Sequence, residues 1–321
     1  MTKLIPVIYG ERNYPPHIEA NICEVAGNFD TKKIDVNTTY SLHTEYSWGE
    51  RTFSSEIVKN LNDITSAHKN NIPQLWYNDK WANAFFIFIE RLIGRNQPPD
   101  VLEIHPPFND YCASFDKFLD TFRIFYEKFR EKYHKTTILI ENRCGTLNKG
   151  GKFILSKYSD VLKFCNVLSN PNNSDIKLKI VLDYPQLFSE VYISTNNDKK
   201  KELQQKGIII DEEILEKIIS FNKELKEYKK LIGGFHMWGK RKNKNGKWSA
   251  HQGNFNDLFS NNDKLKNDFL DSVSSTFNDN IDRYFVPEVN SRDKDLLSII
   301  DDMEQDKRFE FPYKKDYNIV E

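Results

Sequence analysis

The sequence predicts an α/β fold, a (β/α)8 TIM barrel, and three observations carry that expectation. Short, continuously apolar runs alternate with longer amphipathic ones along the whole chain. Several of the short runs are β-branched and apolar throughout, as in parallel strands buried on both faces. Seven or eight strand–helix units fit into 321 residues better as a closed barrel than as an open sheet. One barrel domain is expected over residues 1–321, with a polar insertion around 194–230 and a C-terminal tail at 309–321. No short repeat and no Pro/Gly/Ser linker cuts the chain in two.

The strands are read in order as Leu4–Tyr9, Tyr40–Thr44, Val101–His105, Thr137–Glu141, Lys179–Asp183, Ile232–His236 and Tyr284–Glu288. Between them, Asp79–Arg95 and Ser114–Tyr133 carry apolar residues at three- and four-residue spacing, the mark of a helix with one buried face. Ser114 reads as the N-cap of the second, with Phe118, Leu119, Phe122, Phe125, Tyr126 and Phe129 in its buried stripe. Asp211–Leu231 opens on acids and closes on lysines, which suits the helix dipole. Ser194–Lys206 reads as an inserted polar excursion.

Composition sets outer limits. Hydrophobic residues make up 39% and charged residues 29%, which reads as soluble and globular. Lys+Arg is 46 against Asp+Glu 47, so the chain carries no general coating for a polyanion and any such partner needs a local basic patch. The longest apolar run, Ala84–Ile89, is too short to span a bilayer, and the first residues lack the pattern of a signal peptide. Cys23, Cys112, Cys144 and Cys165 lie far apart with no CxxC, which fits reduced thiols in a cytoplasm. No membrane partner is expected, and the expected location is cytoplasmic.

The polar residues are informative because of where they fall. His43, His105, Glu141, Asp183, His236 and Glu288 each close an apolar strand. In a parallel barrel all strand C-termini open on one rim, so these six side chains converge on one mouth. Three His, two Glu and one Asp suit Zn²⁺, Mn²⁺ or Fe²⁺, and suit Mg²⁺ less as imidazoles accumulate. Taken singly, each has a plainer role: a strand-end His as a hydrogen-bonded structural residue, a strand-end carboxylate as a helix N-cap. Taken jointly, so many buried acids and imidazoles are costly unless paired or metal-bound.

At these residues the chain resembles the xylose isomerase-like TIM barrels, a superfamily that includes endonuclease IV and many sugar isomerases and epimerases. The resemblance rests on short motifs between Tyr40 and Asn290: Glu141 in IENRCG, Asp183 in LDYPQL, His236 in GFHMWGK and Glu288 in PEVN. They follow the order of the superfamily's Glu, Asp, His, Glu quartet at the ends of strands four, five, six and eight. The layout is closest to endonuclease IV, whose second and third strands end in histidines matched by His43 and His105. His105-Pro-Pro looks like its His-Pro-Gly turn, and His251 with Gly253 resembles its loop after strand six. The resemblance implies one metal on His43, His105 and Glu141, and another on Glu141, Asp183, His236 and Glu288, with Glu141 bridging. It also implies Glu141 and Glu288 as the catalytic pair.

The departures matter too. Gln186 and Ser249-Ala250 stand where that endonuclease has two further zinc ligands, so one or two divalent metals are expected and not three. His251 and Gln186 remain candidates for metal or substrate contact. Lys240-Arg241-Lys242 begins a run to Lys247 with five basic residues and no acid, which reads either as a solvated surface or as a phosphate clamp. Trp48, Trp238 and Trp248 read as packing residues or as stacking platforms for a base or sugar ring. No GxGxxG, GxxxxGK[ST], GxSxG or HExxH motif is present, and Gly145–Gly151 lacks phosphate-loop spacing.

These features lead to metal-assisted hydrolysis of a phosphodiester, with DNA or RNA among the candidate partners. The alternative is isomerisation or epimerisation of a small sugar or keto acid, with the two glutamates as acid and base. A third reading is a barrel that has lost catalysis and serves as an interaction module.

Overall fold

The structure, a computed structural model, describes residues 1–145, 151–188, 210–242, 244–245 and 248–315. Eight parallel strands form the main sheet: β1 (Thr2–Ile8), β2 (Ile22–Gly27), β3 (Tyr40–Thr44), β4 (Val101–Ile104), β5 (Thr137–Glu141), β6 (Leu178–Asp183), β7 (Ile232–Met237) and β8 (Arg283–Pro287). They are ordered sequentially, and β8 pairs back onto β1 with Leu4 opposite Arg283, so the sheet closes. This is the (β/α)8 barrel. Among the described residues, six longer helices follow β3 to β8 in turn: α1 (Asp79–Ile93), α2 (Phe115–Lys132), α3 (Tyr158–Leu168), α4 (Glu212–Leu225), α5 (Asp263–Thr276) and α6 (Asp293–Glu304). The connections after β1 and β2 carry no helix.

Seven strands lie where the sequence places them; β2 is the one it does not show. Its residues, ICEVAG, are mostly half-buried and include Cys23 and Glu24, so no apolar run marks it. Counting β2 moves every later strand up by one. The quartet Glu141, Asp183, His236 and Glu288 therefore closes strands five, six, seven and eight. His43 and His105 belong to strands three and four. The strand positions carried over from the family resemblance are corrected accordingly.

The chain divides into two compact units, Glu24–Ile180 and Met1–Cys23 with Val181–Glu321. The first is built on a nest of aromatic rings. Trp76, Trp81, Phe85, Phe88, Phe118, Phe122 and Phe125 are all essentially inaccessible, and the Trp76 ring meets five of its neighbours edge-on at 5.2–5.6 Å. Helix α1 starts at the Asn78 cap, which accepts from the Trp81 amide, and α2 at the expected Ser114 cap, which accepts from the Lys117 amide. In the second unit, Tyr184, Phe188, Phe235, Phe259 and Phe269 form the corresponding core. Asp211 caps α4, and the expected long helix changes to a 3-10 turn over Lys226–Leu231.

The C-terminal segment is tied down as far as it is described. Phe309–Glu310 pairs with β1, and Tyr313 bridges Ile18. The Ser194–Lys206 excursion lies outside the described residues, as does most of Gly145–Gly151. No described helix is long and apolar enough to cross a membrane.

Candidate metal centre

Three neighbouring strands of the first unit assemble a dense polar cluster. β3 and β4 pair with His43 opposite Glu103, and β4 and β5 pair with Glu103 opposite Leu139. Side chains alternate along a strand, so Glu103 and His105 face one way. His43, Glu103, His105 and Glu141 each offer a ligand atom, and those atoms all lie within 4.8 Å of one another. Glu103, His105 and Glu141 are fully buried and His43 nearly so.

The hydrogen bonds fix where protons sit. His105 Nδ1 is 3.2 Å from the backbone carbonyl of Glu45, which can only accept, so Nδ1 carries the proton. His105 Nε2 then presents a lone pair, 2.6 Å from Glu141 Oε2 and 3.1 Å from His43 Nε2. An acceptor facing a carboxylate at that distance needs a positive charge between them, either a proton or a cation. His43 Nδ1 sits 3.2 Å from Glu24 Oε1, and its Nε2 lies 3.5 Å from Glu103 and 3.6 Å from Glu141. The two imidazoles stack with centroids 4.9 Å apart. Arg143 donates to both Glu141 oxygens at 3.1 and 2.9 Å.

The electrostatics separate the two histidines. Burial would make His43 less basic, but Glu103 and Glu24 outweigh it and raise its pKa well above the ordinary value. Burial dominates at His105 and lowers it to about 4. Burial alone would raise Glu141, yet Arg143 and the histidines hold it well below the usual carboxylate range. The raised His43 pKa makes that ring a cation at neutral pH, so three carboxylates, Arg143 and His43 leave one net negative charge. An incoming divalent cation would displace the His43 proton, leaving the two negative charges that complement it. Imidazole and carboxylate donors, with each ring's far nitrogen held by an oxygen, are the donor set and outer support that Zn²⁺, Mn²⁺ or Fe²⁺ use.

The second unit holds the other predicted residues. His236 Nδ1 is 3.4 Å from Glu288 Oε1 and His251 Nδ1 is 3.2 Å from Glu288 Oε2. Burial would raise the Glu288 carboxyl, but the two histidines pull it far below its usual range. The His251 ring stacks on Trp238 at 4.4 Å. Asp183 takes the helix-cap role: it accepts from the Gln186 amide N–H at 2.9 Å, the Gln186 side chain at 2.6 Å and Trp238 Nε1–H at 3.1 Å. Gln186 is thereby engaged with Asp183.

The basic run becomes an antiparallel ribbon, Lys240–Lys242 against Trp248–Ala250. Arg241 grips two carboxylates, Asp257 at 3.0 and 2.5 Å and Asp295 at 3.2 and 2.9 Å, so its charge is neutralised within the fold. Lys242 is exposed and Lys240 half-buried. Trp48 is 39% exposed and its ring stacks against the buried Phe153.

Sequence reasoning missed Glu24, Glu103 and Arg143. A glutamate inside the apolar run Val-Leu-Glu-Ile was itself a signal, because a buried carboxylate needs a partner. Glu24 had no such marker, lying in the strand that went unseen.

Fold and site together define a (β/α)8 barrel with a buried histidine–carboxylate centre. No protein-family model matches the chain, and no curated protein does. Among solved structures, it is similar to a xylose isomerase domain protein from Planctomyces limnophilus, at 11% identity and a TM-score of 0.33 over 70% of this chain. The chain spans 60% of that protein's length. It is also similar to a GH53 catalytic domain from Ignisphaera aggregans, at 11% identity, a TM-score of 0.39 and coverage of 83% and 74% of the two chains. An endo-beta-mannanase/endo-beta-glucanase from Prevotella bryantii matches at 9% identity and a TM-score of 0.31, over 87% of this chain and 48% of the other.

Proposed function

We propose that the chain is a divalent-metal-dependent hydrolase acting on a phosphodiester, with nucleic acid as a candidate substrate. One observation carries the metal reading: the His105 Nε2 lone pair, 2.6 Å from Glu141 Oε2 and 3.1 Å from His43 Nε2, converges with them on a point that needs positive charge. His43, Glu103, His105 and Glu141 would hold the ion. A divalent ion held there would supply the Lewis acidity that phosphodiester hydrolysis needs at neutral pH.

The chain's own groups do the rest. Glu24 and the Glu45 carbonyl orient the two imidazoles, and Arg143 keeps Glu141 ionised and fixed. The charge of Arg241, one of the basic residues expected to attract phosphate, is taken up by Asp257 and Asp295.

The test combines metal analysis of untagged protein with a substrate panel. Bound Zn²⁺, Mn²⁺ or Fe²⁺, with cleavage of a bis-ester, DNA or RNA that is lost in Glu141→Gln, supports the proposal. Interconversion of aldoses and ketoses without phosphodiester cleavage replaces it with the isomerase reading. A protein that binds no metal and turns over neither class removes it.

A further inference from the structure

The segment that follows β3 returns over the end of β4 and holds His105 at two points. The Glu45 carboxylate is fully buried and accepts four hydrogen bonds, from the amides of Phe29 (3.1 Å), Tyr46 (3.1 Å) and Ser47 (3.2 Å) and from Arg51 Nε (3.0 Å). Those bonds fix the peptide unit of residue 45, whose carbonyl receives the His105 Nδ1 proton. Ser47, in the left-handed region at φ 53°, donates through its hydroxyl to the Pro73 carbonyl at 2.7 Å and brings the far end of the segment back.

The second hold is on the backbone. Trp76 donates its indole N–H to the His105 carbonyl at 2.8 Å, from a ring that is 1% exposed. Its φ is +59°, a conformation that a bulky side chain adopts only when its surroundings enforce it. The enforcing contacts are the edge-on rings of Trp81, Phe85, Phe118, Phe122 and Phe125.

We propose that Glu45 and Trp76 are positioning residues that commit His105 to the Nδ1–H tautomer and aim its Nε2 at Glu141 and His43. Neither side chain reaches the ligand atoms; both act through His105. The two holds explain why a segment rich in buried hydrogen bonds stands over the end of one strand. Without the Glu45 carbonyl the ring is able to place its proton on Nε2, facing the other ligands, and the donor is lost.

The affinity arm of the test rests on the metal reading above, and the tautomer arm does not. Long-range ¹H–¹⁵N spectra of metal-free, histidine-labelled protein are expected to show His105 protonated on Nδ1. Trp76→Phe keeps an aromatic ring in the nest and removes the donor together with part of the ring volume; Glu45→Gln keeps the shape and removes the charge. Each is expected to broaden or shift the His105 signals toward the other tautomer. Each is also expected to weaken Zn²⁺ binding by roughly 10–100-fold at unchanged stoichiometry and unchanged circular dichroism.

If Glu45→Gln fails to fold, Trp76→Phe decides alone. A wild-type His105 carrying its proton only on Nε2 overturns the proposal, as do folded variants with wild-type spectra and affinity. Wild-type protein that shows the Nδ1–H tautomer but binds no Zn²⁺ overturns the metal reading and leaves the positioning role standing.

Discussion

Replacing Glu103 by Gln keeps the shape of the side chain and removes one negative charge from the pocket. Glu103 Oε1 lies 3.5 Å from His43 Nε2, among donor atoms that are within 4.8 Å of one another. At about 4 Å and an effective dielectric of ~20, one pair of unit charges is worth about 4 kcal/mol. Glutamine retains a carbonyl donor, so the working loss is about 3 kcal/mol, roughly 100-fold in affinity. At a free Zn²⁺ concentration of ~100 times the wild-type Kd, binding stabilises the native state by about 2.7 kcal/mol; a 100-fold weaker site gives about 0.4 kcal/mol. For a chain of 321 residues, 1 kcal/mol moves Tm by about 1.5 °C. Zn²⁺ should therefore raise Tm by about 4 °C in the wild type and by less than ~1 °C in Glu103→Gln, read by calorimetry. Equal shifts in the two proteins would refute the assignment of Glu103 to the ion.

Three further outcomes test the second unit. Arg283 is wholly buried, holds Asp279 through two contacts at 2.8 Å and donates to the carbonyls of Lys229, Ile232, Phe277 and Ile281. Burial alone would raise Asp279, but the Arg283 hydrogen bonds win and hold it below its ordinary value. Its stabilisation is thus complete above the unfolded value, about pH 3.9, and is lost as pH falls through the lower folded value. Asp279→Asn should cost about 3 kcal/mol in urea melts at neutral pH, and the difference from wild type should shrink in acid. A gap of constant width would contradict this. Arg241→Gln leaves Asp295 buried without its guanidinium and should cost about 1–2 kcal/mol. The salt dependence of phosphodiester binding should stay unchanged; a shallower salt slope would restore Arg241 as a phosphate contact. Gly239 crosses the backbone of Gly253 and Asn254 so closely that an added Cβ would lie 2.3–2.5 Å from their atoms. Gly239→Ala should lower stability by about 1–3 kcal/mol and perturb the fluorescence of Trp238 where His251 stacks on it, whereas an unaltered melt would show that the crossing can relax.

The barrel was legible because seven of its strands advertise burial on both faces. Tyr40–Thr44, Thr137–Glu141 and Lys179–Asp183 are mostly apolar before the residue that carries chemistry, and the structure ends β3, β5 and β6 at or beside those residues. β2 was illegible for the opposite reason: it is mostly half-buried, and a strand with neither alternation nor an apolar run has no periodic signal. Missing it concealed Glu24 and displaced the strand count by one. His43, His105 and Glu141 were readable as strand-end ligand types. Glu45 and Trp76 were not, because their roles come from a long connection whose path depends on Ser47, Pro73 and an aromatic nest far along the chain. The ion pairs of Arg241 were hidden for a related reason. Arg241 finds its carboxylates 16 and 54 residues away, and no local pattern shows that.

The donors of the candidate centre, with Glu24 and Arg143 around them, all come from the contiguous stretch Glu24–Ile180. During synthesis the full donor set exists once residue 143 has been added, with more than half of the chain still to be made. An ion captured then acts as a cross-link between β3, β4 and β5, shortening the free loops between them before the later strands arrive. Metal supply during translation would then govern the yield of folded protein, separately from any need for the ion in turnover.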